Sequence, residues 1–286
     1  MRIGVVFPQT ELGGDPGVVR AYGEGVQGLG FTHVLAYDHV VGADPRVHQG
    51  WDGPYDIDST FHEPFVMFGF LAAITSLELV SGVIILPQRQ TALVAKQAAE
   101  VDLLTGGRFR LGVGLGWNAV EYEALGESFT NRGKRSEEQV ELLRRLWTER
   151  SVTFDGKYHT VTAAGLAPLP VQRPIPVWIG AASDRGLERA GRLADGWFPM
   201  TAPGPGLDHA REQVQRAAAA AGRDADSLGM EGRVSWTGDR DRTAREIAAW
   251  REAGATHLSV NTMNAGLVTV DDHLAALGQV AADLKQ

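Results

Sequence analysis

The stretch Leu103–Gly126, LLTGGRFRLGVGLGWNAVEYEALG, decides how this chain is read. It predicts a helix ending at Gly106-Gly107 and a short apolar strand over Phe109–Val113. The strand opens into Gly112, Gly114 and Gly116, then presents Trp117 and Asn118. Glycine lets the backbone approach a ligand closely or adopt positive φ at little steric cost. A strand that ends this way has the form of a ligand-binding strand end. A dinucleotide fingerprint is a competing reading and fits poorly. The glycines recur every second residue, Trp117 stands at the third fingerprint position, and no acidic residue closes a clean βαβ unit at the expected distance. A glycine-rich turn packed for steric reasons is the other alternative. What decides between them is whether other strands end with the same logic.

Outward from this stretch, short apolar runs alternate with amphipathic helical segments. The predicted strands are Arg2–Phe7, His33–Tyr37, Leu79–Leu86, Phe109–Val113, Pro176–Ile179, Gly196–Pro199, Gly229–Trp236 and Thr256–Val260. Helices are predicted at Val18–Leu29, Pro64–Thr75, Thr91–Leu104, Lys134–Thr148, Arg185–Leu193, His209–Ala221, Thr243–Ala253 and Val270–Leu284. Strand-then-helix repetition implies parallel strands joined by helical crossovers. Eight such units in 286 residues point to an α/β fold of the (β/α)8 TIM-like barrel type, a single domain over 1–286. A doubly wound open sheet is the alternative, opposed only by the strand count. One segment breaks the rhythm. SVTFDGKYHTV, residues 151–161, alternates apolar and polar residues around Asp155-Gly156, a strong hairpin signal. It reads as a β-hairpin inserted into the barrel, within an insertion at about 150–175.

Composition excludes several classes. A formal net charge of -8 argues against nucleic acid, which demands concentrated Lys and Arg. It leaves room for an anionic ligand bound by backbone N–H groups. With no cysteine there is no disulfide, thiolate catalysis or Cys-based metal site, which suits a cytoplasmic protein. The opening MRIGVVFPQ is strand-like and too soon broken by Pro8 for a signal peptide, and no apolar run is long enough to span a membrane.

In a barrel the ligand site lies at the C-terminal strand ends. The second strand ends in Asp38-His39. An imidazole there can act as general acid or base, oriented by a neighbouring carboxylate; the alternative is a satisfied histidine capping the loop, and the rim position favours the first. His33 and His257 fall at the opposite ends of their strands and read as structural. His39, His48, His62 and Glu63 are unevenly spaced and match no recognised ligand pattern, so no metal is expected. No GxSxG motif supports a covalent hydrolase. The fourth strand end offers Trp117, Asn118 and Glu121. Trp117 reads as an aromatic wall or a core anchor, and Asn118 as a ligand contact or helix cap. Ser183 at a helix start, after Gly180-Ala181-Ala182, makes an anion site or merely an N-cap. Met200 follows the sixth strand at the same rim. The loop Gly42–Asp58, with Trp51 and Tyr55, reads as a lid or as a dimer contact.

Taken together these segments resemble the bacterial luciferase-like monooxygenase superfamily, and within it the actinobacterial coenzyme F420-dependent oxidoreductases. The carriers are Asp38-His39, Glu63-Pro64-Phe65, Leu79–Pro87, Ala95-Lys96-Gln97, Gly106-Gly107-Arg108, Gly112–Asn118, Arg132-Gly133, Trp178-Ile179-Gly180 and Ala194–Trp197, in order and spacing over nearly the whole chain. The resemblance implies a luciferase-like barrel binding coenzyme F420, or alternatively FMN, at its mouth. It implies a non-proline cis peptide in the third strand, at Gly82-Val83, backing the cofactor ring. It sets Asp38 and His39 near the ring, with His39 exchanging the proton. It sets Asn118 in the ring-contact region, Gly180, Ala181, Ala182 and Ser183 on the phosphate side, and Met200 along the cofactor. Members that oxidise sugar phosphates carry glutamate just after the Gly-rich strand. This chain carries Trp117 there, and Trp117-Asn118 resembles the broader reductase and monooxygenase subgroup. The expectation is a cytoplasmic homodimer moving hydride to or from a small-molecule substrate, with no nucleic-acid or membrane partner. Two alternatives stand: a reduced-FMN monooxygenase using O2, and a barrel that binds a ligand without turnover.

Overall fold

A computed structural model describes residues 1–285. Its strands are β1 (Arg2–Val6), β2 (His33–Ala36), β3 (Glu78–Ser81), β4 (Ile84–Ile85), β5 (Phe109–Gly114), β6 (Val152–Asp155), β7 (Thr160–Ala164), β8 (Val177–Ala181), β9 (Gly196–Pro199), β10 (Gly229–Ser235) and β11 (His257–Asn261). Its helices are α1 (Pro16–Leu29), α2 (Pro64–Ala72), α3 (Thr91–Thr105), α4 (Ala119–Ala124), α5 (Arg132–Thr148), α6 (Asp184–Leu193), α7 (Pro205–Ala220), α8 (Arg240–Glu252) and α9 (Val270–Asp283).

The barrel runs β3-β2-β1-β11-β10-β9-β8-β5, all parallel, and β3 pairs with β5 to close it. Closure excludes the doubly wound open sheet. β3 and β4 are two halves of the third barrel strand, and both pair with β5. The sequence predicts one run over Leu79–Leu86; the structure breaks it at Gly82-Val83, whose peptide bond is cis. That is the position the family resemblance implies.

Gly112 and Gly114 explain themselves here. A Cβ on Gly112 would sit 1.8 Å from the Ser81 carbonyl oxygen, and one on Gly114 would sit 2.5 Å from Val83 Cγ2. Ser81 Oγ also accepts from the Gly112 N–H and donates to its carbonyl, both at 2.9 Å. The alternating glycines let β5 lie against the broken strand.

β6 and β7 form the inserted antiparallel hairpin, with Asp155 opposite Thr160. The turn is four residues, Gly156–His159, rather than a two-residue Asp-Gly turn. Glu138 of α5 reaches into it and accepts from the Lys157 and Tyr158 N–H groups at 2.8 and 2.9 Å. Five helix boundaries differ from the sequence reading by two residues or more. α1, α5, α7 and α8 start earlier, α1 and α7 at a proline that suits a first helical turn, and α2 stops at Ala72. The short α4 was not expected.

Register fixes what faces the barrel interior. His33 pairs with Glu78, Val80 with Arg110, and Gly4 and Arg233 with Ser259, so these side chains share the inner face. Arg110 bonds Glu78 at 2.9 Å and Glu231 at 2.8 Å, while His33 and Ser259 also meet Glu231. This charged layer fills the N-terminal end of the barrel. Above it Val6, Leu35, Val80 and Met263 form an apolar layer. The outer core packs the helices onto the strands through residues such as Leu79, Leu111, Trp147 and Leu277, all essentially inaccessible to solvent. Among the described residues no helix is long and apolar enough to cross a membrane.

Candidate active site

The C-terminal strand ends converge on His39, just beyond β2. Its Nδ1 lies 2.8 Å from Glu121 Oε1. Glu121 comes from α4, whose first turn is set by Asn118: the Asn118 Oδ1 accepts from the Val120 and Glu121 N–H groups. The same Glu121 oxygen accepts from the Val40 N–H at 2.5 Å, and its other oxygen from Gln88 Nε2 at 3.0 Å. Burial pushes the Glu121 carboxyl up, but the bonds from His39, Val40 and Gln88 together hold it below the ordinary carboxylate value. An ionised Glu121 therefore fixes the proton on His39 Nδ1. That leaves Nε2, which is buried and has no protein partner, as the nitrogen free to accept or hand over a proton.

Aromatic rings enclose the imidazole. Phe61, Tyr55 and Trp117 stand edge-on to it, with ring centres 5.2, 5.6 and 5.8 Å away. Trp51 leans on Trp117 at 5.5 Å and donates its indole N–H to the Tyr55 carbonyl. The loop Gly42–Asp58 thus folds back over His39 through the two aromatic residues that the sequence singles out in it.

Asp38 points elsewhere. Its Oδ1 accepts from Arg89 Nη2 at 2.7 Å and its Oδ2 from the Ile85 N–H at 3.1 Å. Burial pushes its carboxyl up despite the guanidinium beside it. Both oxygens are thus occupied in tying β2 to the segment after the broken strand. Arg89 also bonds Glu63, the cap of α2. Asn118 is buried and engaged with backbone, whereas Trp117 is 44% exposed and faces the opening. On the far side Gly180, the last residue but one of β8, lies near Val83, whose Cγ1 is 3.4 Å from where a Gly180 Cβ would stand. Ala181 is buried; Ala182 and Ser183 are exposed, and Ser183 Oγ caps α6 by accepting from the Gly186 N–H. Met200 is exposed at the end of β9. Gly82, Gly114 and Gly180 pack closely around the break in the third strand: the Leu35 side chain meets Gly82, and the Val83 side chain meets Gly114 and Gly180. Among the described residues no cluster of three His, Asp or Glu could hold a metal ion.

The partnerships of Gln88 and Arg89 escape sequence reasoning, because their bonds to Glu121 and Asp38 span 33 and 51 residues. Glu121 is visible in the sequence only as a polar residue near a strand end.

A closed parallel barrel with a broken third strand and a histidine-bearing mouth defines a recognisable class of protein. A family model described as luciferase-like monooxygenase matches residues 1–283. The chain belongs to this family. An FMNH2-dependent dimethylsulfone monooxygenase of Pseudomonas putida is 32% identical over 72% of this chain and 57% of its own. An F420-dependent glucose-6-phosphate dehydrogenase of Nakamurella multipartita is 29% identical over 77% of this chain and 64% of its own. An uncharacterized Mycobacterium tuberculosis protein is 38% identical over 57% of this chain, and the match spans 56% of that relative's length. A solved F420-dependent secondary alcohol dehydrogenase superposes with a TM-score of 0.77 at 19% identity, over 98% of each chain, a likeness of fold.

Proposed function

We propose that this chain is a coenzyme F420-dependent oxidoreductase acting on a small organic molecule, with His39 exchanging the proton. The observation that carries the reading is the buried, unpartnered Nε2 of His39, at the C-terminal end of the second barrel strand, while Glu121 fixes Nδ1. When bound, the reduced cofactor would supply a hydride to one end of an activated C=C or C=N bond. His39 Nε2 hands a proton to the other end. Glu121 stabilises the imidazolium before transfer and keeps the ring in register. Asp38, through Arg89 and the Ile85 amide, braces the strand ends around the broken third strand. Gly82, Val83 and the Gly180–Ser183 turn would hold the cofactor, with Met200 at its edge, while Asn118 serves the site by setting the first turn of α4. Trp51, Tyr55, Phe61 and Trp117 exclude water from the reacting atoms.

The choice of F420 rests on similarity to F420-dependent relatives. The monooxygenase relative supports FMN with O2 as the second reading. Fluorescence titration of the purified protein with each cofactor tests this. Saturable F420 binding with weak FMN binding is the expected result; preference for FMN moves the reading to the monooxygenase, and binding of neither overturns both. In the loaded enzyme, His39→Ala is expected to lower turnover by roughly 10²–10⁴-fold while cofactor affinity holds. Unchanged turnover would leave a barrel that binds without catalysis.

A further inference from the structure

Arg233 lies on the inner face of β10, one inward position above the charged layer, since Glu231 and Arg233 alternate with the outward-facing Gly232 and Val234. Below it the charges are already matched. Glu231 is held by Arg110, His33 and Ser259, and Glu78 by Arg110 and Arg2. Arg233 has no carboxylate partner among the described residues. Its one side-chain bond runs from Nη1 to the Tyr37 hydroxyl oxygen at 2.9 Å, with the guanidinium 5.8 Å from the Tyr37 ring centre. It is exposed although it points into the barrel, because the mouth is open there. In a chain of net charge -8, this is a cation left over on the inner face near the C-terminal end of the barrel.

Tyr37 sharpens the geometry. Its oxygen accepts from Arg233, so its own O–H is free to donate. Burial pushes that phenol up more strongly than Arg233 pulls it down, so it keeps its proton at neutral pH. A guanidinium and a phenol O–H thus stand side by side, two donors matched to the two oxygens of a carboxylate. Tyr37 packs on the inner apolar layer and stands two residues before His39, whose ring Tyr55 meets edge-on at 5.6 Å. The donor pair and the aromatic-walled imidazole therefore share the rim at the end of β2.

Resting on the oxidoreductase reading above for its status as substrate, we infer that the molecule turned over is a planar, conjugated carboxylate. Arg233 and Tyr37 hold its carboxylate, and its unsaturated body lies against Tyr55, Phe61 and Trp117 beside His39.

The test titrates the full-length protein, with and without saturating F420 or FMN, by calorimetry. The probes are trans-cinnamate and its neutral isostere trans-cinnamamide. The expected result is cinnamate binding about tenfold tighter than cinnamamide, the low end for a charge-assisted pair open to solvent. Arg233→Met should equalise the two probes, Tyr37→Phe should narrow the gap, and neither should change cofactor affinity. Should Arg233→Met fold poorly, salt serves instead: the preference of the wild-type protein should shrink as ionic strength rises. Equal binding of the probes, no binding of cinnamate, a preference that survives Arg233→Met or resists salt, or loss of cofactor affinity in that variant overturns the inference. A protein that selects cinnamate but binds neither cofactor keeps this site and loses the proposed function. One that binds F420 without carboxylate preference does the reverse.

Discussion

Glu121 gathers hydrogen bonds from His39, Val40, Val41 and Gln88, and its removal would leave the buried His39 and Gln88 donors without their acceptor. Glu121→Gln keeps the shape but replaces the anionic acceptor facing His39 by an amide. The imidazole then loses its fixed tautomer and the counter-charge for its protonated form. Turnover is expected to fall about 10–100-fold, with cofactor affinity unchanged and the pH–rate profile displaced. A fall in turnover with an unmoved pH profile would reduce Glu121 to a structural brace. His39 is legible in the sequence because a strand end and a barrel rule suffice to place it. Its partner is not, because 82 residues separate them and only the folded chain joins α4 to the end of β2. Arg233 is illegible for another reason: an arginine in GMEGRVS looks like any outward strand residue until register turns it inward.

At the scale of elements, the glycines of the decisive stretch are read correctly as close approach, but the partner differs from the expected one. The sequence suggests a ligand. The structure adds the chain's own third strand, whose Ser81 carbonyl and Val83 side chain fill the space beside Gly112 and Gly114. Gly112→Ala is therefore expected to cost about 3 kcal/mol, since the clash is with backbone in a closed sheet and neither strand can withdraw. Gly28→Ala is the matching control: Gly28 lies in α1 with nothing near its would-be Cβ, and alanine there should stabilise by about 0.5–1 kcal/mol. Denaturant unfolding of both variants reads the contrast directly, and equal stabilities would refute the packing account. The eight strand–helix units are legible because each strand is a separate apolar run between turn signals. The break at Gly82-Val83 cannot be read from periodicity, for Leu79–Leu86 is apolar apart from Ser81-Gly82 and a fully buried strand looks the same whole or split.

Across the whole molecule the barrel is polarised, with a matched charged layer at its N-terminal end and a mouth holding His39 and Arg233 at the other. Two histidines, His273 buried and His257 half-buried, resist protonation in the folded chain. Burial first, then the Arg110 charge, pushes the His257 imidazole down to about 3. Burial likewise pushes down His273, which bonds Thr262 at 2.8 Å. Unfolded, each would take a proton near its ordinary value of about 6.5. Below that pH the unfolded chain binds protons that the folded chain rejects, so stability declines as pH falls from about 6.5 toward 3. Glu231 adds a second, more acidic window. Burial pushes it up, yet Arg110 and His33 hold it far below the ordinary carboxylate value. Its contribution is thus present above about 4.5 and is lost as pH falls below that. The melting temperature is therefore expected to begin falling near pH 6, by about 2 °C per pH unit after discounting for the partial exposure of His257, and more steeply below about pH 4.5. His257→Asn should flatten part of the upper slope, and adding His273→Asn should flatten the rest while leaving the steeper acid limb in place. Thermal melts of the three proteins between pH 4 and 7.5 decide it. An upper slope untouched by both substitutions would mean that the proton uptake belongs to other groups and that the charged layer does not set the acid response of this barrel.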